Sequence, residues 1–175
     1  MEGAGLFIIR CVQLLFVIIL VALIGNVMAS NIDGHMSAIN YALFSVIIAW
    51  LACLLGMAGT FFSMLAEGIF SYVLLGLDVL SVIFVFVAAI VIPAKLHAID
   101  CGGQLTVERR GANWIGFGSN DDEKRCRELQ ATSAFLWFLW AVLCASLVFA
   151  VVNLRRMGGG SSRASSAPHM SQVRV

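Results

Sequence analysis

Four stretches of the chain are almost purely apolar, and each is longer than a core helix needs: residues 6–29, 39–64, 71–94 and 132–153. A bilayer's hydrocarbon slab takes about 20 residues of helix to cross. Residues 30–37 form a short polar loop and 66–69 a very short turn, while 98–130 make the one long polar segment. Short connections make consecutive helices antiparallel neighbours. The pattern predicts an all-α, polytopic membrane protein. Residues 1–156 form one four-transmembrane-helix bundle, and 157–175 form a flexible tail, rich in Gly and Ser with arginines and no acid.

The few polar residues inside the spans are the informative ones. The third span carries Asp78. An acid near the middle of a spanning helix costs about 3 kcal/mol, and apolar neighbours at roughly −0.3 to −0.6 kcal/mol each outweigh it. The segment inserts, but its acid needs a polar direction. Ser71 and Ser81 share its helical face, which should look into the bundle. The first span holds Arg10 and Gln13, three residues apart and on one face. Arg10 has two readings: it snorkels to the nearby surface, or it pairs with Asp78, because alternating helices bring both into the same half of the membrane. Cys11 beside it reads as an apolar packing residue or an acylation site.

The second span repeats small residues at steps of three and four: Ser45, Ala49, Ala52, Gly56, Gly59 and Ser63. Such a stripe lets helices approach closely where no hydrophobic effect drives packing. It serves packing within the bundle or a homo-oligomer face. Trp50 reads as a lipid-facing or packing residue. Ala134, Ala141 and Ala145 make a weaker stripe in the fourth span, and Phe135, Trp137, Phe138 and Trp140 read as an aromatic belt at the membrane surface.

Composition agrees and narrows the chemistry. Hydrophobic residues make up 61% of the chain and charged residues 12%, about half the charge of a soluble domain. A net charge of +1 without a basic stripe offers nothing to nucleic acid. His35, His97 and His169 lie outside the spans and far apart. They suggest neither a metal site nor a cofactor, and an intramembrane enzyme would need such groups clustered. Of five cysteines, Cys101 and Cys126 flank the long loop. A bridge between them would close that loop above the membrane, against the alternative of two free thiols. Trp114, Ile115 and Phe117 give the loop a small apolar cluster.

Arg155 and Arg156 after the fourth span favour a cytoplasmic C-terminus and contact with anionic lipid. The loop's Arg109, Arg110, Lys124, Arg125 and Arg127 argue the reverse. The cysteine pair decides, because a disulfide needs an oxidising side. Both termini are then cytoplasmic and the loop exoplasmic.

Several residues give the chain a family likeness: Asn40-Tyr41, Leu77-Asp78, Cys101, Arg125-Cys126-Arg127, Gln130-Ala131, Phe135-Leu136 and Ser171-Gln172-Val173. With four spans and a cysteine-bounded last loop, the chain resembles MARVEL-like tetraspan proteins, and more closely the fungal non-classical export protein 2 family. The loop between the cysteines and the end of the tail depart from that pattern. The resemblance implies a plasma-membrane protein of eisosome microdomains. It implies BAR-domain scaffold proteins and membrane lipids (sphingolipid or anionic) as partners, and a role in microdomain organisation and export of leaderless proteins. The competing reading is a small transporter or channel using Asp78 and Arg10.

Overall fold

A computed structural model describes residues 2–61, 69–97, 100–102 and 113–160. Four helices account for most of them: α1 (Glu2–Ala29), α2 (Ser37–Phe61), α3 (Ile69–Leu96) and α4 (Asp122–Gly160). All four contain a stretch long and apolar enough to cross a membrane. They pack as a ring of neighbours, α1 on α2, α2 on α3, α3 on α4 and α4 on α1. Among the described residues, diagonally opposed helices do not approach at backbone level.

Each helix turns one narrow stripe inward. On α1 it runs Arg10, Gln13, Val17, Leu20, Ile24 and Val27; on α3 it runs Asp78, Ser81, Val85, Ala88, Ile92 and Leu96. Steps of three and four keep each set on one face. The outward faces are equally greasy, with Ile8, Leu15, Val73 and Ile83 all at least half exposed. An apolar exterior is what lipid requires, so burial of apolar area does not select the inward face. Scarce polar groups and small residues do.

The polar residues of these stripes gather toward the end of the bundle that holds the termini. The opposite end is closed by the loops, and the α1 and α3 stripes there are apolar. Pro93 sits in the last turns of α3, where little ladder remains to disturb. His97 ends the helix with φ +60°, the left-handed conformation more often taken by glycine.

Helix α4 begins earlier than the polarity of 98–130 suggests. Asp121 caps it, its Oδ1 accepting the Lys124 backbone N–H at 3.0 Å, while Ser119 N–H donates to Asp122 Oδ1 at 3.1 Å. Asp122 and Glu123 in the first turn also suit the helix dipole. The polar segment therefore ends as helix rather than loop. At the far end α4 runs on to Gly160, past the start of the expected flexible tail. The rest of that tail, the turn at 66–68 and Ser63 lie outside the described residues.

Candidate functional site: a buried ion pair and a stapled cap

Arg10 does not snorkel. Its side chain and that of Asp78 are each only 4% exposed, and they meet as a bidentate pair. Arg10 Nη1 donates to Asp78 Oδ1 at 2.8 Å and Nη2 to Oδ2 at 2.5 Å. Because α1 and α3 are diagonal partners, this pair is the bond that spans the bundle's centre. Gln13 Oε1 accepts a further bond from Arg10 Nη1 at 3.2 Å, and Gln13 Nε2 donates to the Val142 carbonyl of α4 at 3.4 Å. From α2, Cys53 Sγ donates to the Arg10 carbonyl at 3.2 Å. Ser81 turns its hydroxyl to the Leu77 carbonyl of its own helix, and Ser71 is half-buried. Polar support of the pair therefore comes from Gln13.

The small stripe of α2 makes this crossing feasible. Ser45, Ala49 and Ala52 are buried within the bundle. A Cβ on Gly59 would rest 3.4 Å from Leu74 of α3, while one on Gly56 would lie 2.7 Å from Arg10 Cζ and Nε. Ser45, Ala49, Ala52, Gly56 and Gly59 thus serve packing within the bundle. Gly56→Val should push the guanidinium off Asp78 and lower stability by about 2 kcal/mol, within the range for overpacking a close-fitted core. Unfolding in detergent checks this, and an unchanged midpoint would show that Arg10 does not depend on the gap.

Other expectations fall outside the pair. Cys11 and Trp50 face outward, as do Ala134, Ala141 and Ala145. The fourth-span rings join helices rather than forming only a surface belt. Phe135 and Phe138 meet Phe16 of α1, each with centroids 6.1 Å apart, and Trp137 and Trp140 meet Phe86 of α3. Arg155 is exposed near the end of α4.

At the opposite end the loops are stapled. Cys101 and Cys126, 25 residues apart, form a disulfide with Cα atoms 5.7 Å apart. Next to it Arg125 is buried, 1% exposed. Its Nε donates to the Ile115 carbonyl at 3.0 Å and its Nη1 to Asn31 Oδ1 at 2.7 Å. One side chain thus ties the start of α4 to both loops. Ile32 N–H donates to the Gly118 carbonyl at 2.7 Å, and Asn31 and Ser119 form an isolated antiparallel bridge. Gly118 has φ +103°, and a Cβ there would strike Gly34. Trp114 packs edge-on to Phe117, and its Nε1 donates to the Leu96 carbonyl at 2.9 Å, capping α3. Sequence reasoning found the cysteines and the Trp114 cluster. It missed Arg125 as a structural knot, because a base in a charge-rich loop looks like any other. Among the described residues, no three His, Cys, Asp or Glu side chains gather as a metal site needs.

Four spans, an inward-facing polar core and a closed loop end define a class, the tetraspan membrane domain. Residues 4–149 match the family model of the membrane-associating (MARVEL) domain. The chain is 31% identical over 174 residues to non-classical export protein 2 of Saccharomyces cerevisiae, covering 96% of this chain and 92% of that one. It is 33% identical over 178 residues to non-classical export protein 102 of Candida albicans, covering 99% and 100%. The chain belongs to the non-classical export protein 2 family of MARVEL proteins. No solved structure matches it.

Proposed function

We propose that this protein is a non-enzymatic organiser of plasma-membrane microdomains of the eisosome type, responsive to sphingolipid and linked to the export of leaderless proteins. One observation carries the reading. Arg10 bonds Asp78 through both Nη atoms, and Gln13 through Nη1, at the bundle centre, which favours a packed unit with an apolar outer surface over a polar path for solutes. The names of the relatives support the export link. The disulfide supports placing the capped end on the oxidising, exoplasmic side, with both termini in the cytoplasm. Arg155 and Arg156 then meet anionic inner-leaflet lipid, worth about 1 kcal/mol each. BAR-domain scaffold proteins on that leaflet are the expected partners.

The test is the distribution of the tagged, full-length protein at the cell surface with and without sphingolipid depletion. Patches that disperse on depletion are the expected result. A uniform signal under both conditions would overturn the reading.

A further inference from the structure

The seam between α1 and the start of α4 holds a groove of about 460 Å³ that neither the ion pair nor the disulfide uses. We propose that it is a headgroup site for a zwitterionic phospholipid of the leaflet at the capped end. The inference is independent of the organiser role and needs only that the chain spans a membrane.

The volume lies in the range of small-molecule sites. The walls carry both signs of charge, Lys124 and Arg127 interleaved with Glu123 and Glu128, while Leu23 and Ala131 supply apolar lining. Farther along the same seam, Phe16 lies nearly parallel to Phe138, with an interplanar angle of 19°. That ring pair sits on the path an acyl chain would follow. Charged walls beside apolar lining and aromatic rings suit an amphiphile better than a soluble metabolite.

The charges select among amphiphiles. With Asp121 also lining it, the groove holds three acids and two bases, an excess of one negative charge that disfavours an anionic headgroup. Glu128 is the fixed carboxylate. It is 15% exposed on its side chain, and its Oε1 accepts from Asn26 Nδ2 at 2.5 Å. A terminal ammonium fits there. Lys124 and Arg127 are 63% and 66% exposed, and among the described residues their ion pairs are with neighbours one turn away, Glu128 and Glu123. Such exposed pairs are weak and exchangeable. Both bases are free to swing to a phosphate, which a guanidinium grips with two bonds.

The full-length, disulfide-intact protein in detergent would be titrated with dioleoyl lipids bearing ethanolamine, choline or glycerol headgroups, and binding read by native mass spectrometry. The ethanolamine and choline lipids should bind about tenfold more tightly than the anionic glycerol lipid, the scale of one charge-assisted contact. Glu128→Gln should weaken both zwitterionic lipids by a similar factor and strengthen the glycerol lipid, since it removes the excess negative charge. Arg127→Gln, at an exposed position, should weaken all three without moving the melting temperature. Equal binding of the three lipids, or an unchanged ranking in Glu128→Gln, would overturn the proposal.

Discussion

Asp78→Ala is expected to destabilise the bundle by about 3–5 kcal/mol, the range for removing one member of a buried ion pair. The substitution leaves the Arg10 guanidinium in a core where its side chain is 4% exposed, with Gln13 as a remaining acceptor. Arg10→Ala strands the carboxylate in the same way. Replacing both, as Arg10→Met with Asp78→Leu, should recover most of the loss, because a well-packed apolar pair is often as stable as a buried ionic one. The pair then specifies which helices lie across the diagonal more than it adds net stability. Reversible unfolding in mixed micelles, arranged as a double-mutant cycle, measures the coupling. Additive single-mutant effects would remove the pair from the account. The same Asp78→Ala protein, reconstituted in liposomes, should show no change in ion flux; a flux that vanished with the carboxylate would favour the transporter reading.

The second large effect is at the cap. Arg125→Ala should destabilise by about 3 kcal/mol, because hydrogen bonds from a charged donor contribute roughly 1.5–3 kcal/mol each and the Ile115 carbonyl and Asn31 lose theirs together. Cys101→Ser with Cys126→Ser should lose about 3–4 kcal/mol in the chain-entropy model for a loop of this length. Both devices hold the loop to the first turn of α4, so the triple substitution should lose less than the sum. Thermal unfolding with and without reductant reads these values, and mass spectrometry of nonreduced protein reads the bridge. Two free thiols in that protein would remove it from the folded state. Full additivity would mean that Arg125 and the disulfide hold separate parts of the cap.

How far each feature could be read from the chain depends on the range of the physics behind it. Span α3 was legible nearly to the residue, at 71–94 against Ile69–Leu96, because apolar length is a local property. The start of α4 was not. The acids and bases after Asp121 look like loop, and it takes the Asp121 cap and the Cys101 bridge to hold them as helix. The choice between snorkelling and pairing for Arg10 turned on a residue two helices away in the ring. In the sequence Gly56 is one small residue among several; in the fold its neighbour is the Arg10 guanidinium.

The sequence by itself determined that there are four crossings, that Asp78 faces inward, and that two cysteines bracket the long loop. Hydrocarbon thickness and the cost of a charge in lipid act on one segment at a time. Only the tertiary structure decided that Arg10 reaches Asp78 across the diagonal, that Ser45, Ala49 and Ala52 of α2 pack inside the bundle, and that Arg125 knots two loops to α4. Those outcomes depend on the relative register and close approach of separate helices. In a chain apolar on every face, the hydrophobic pattern carries no signal for either.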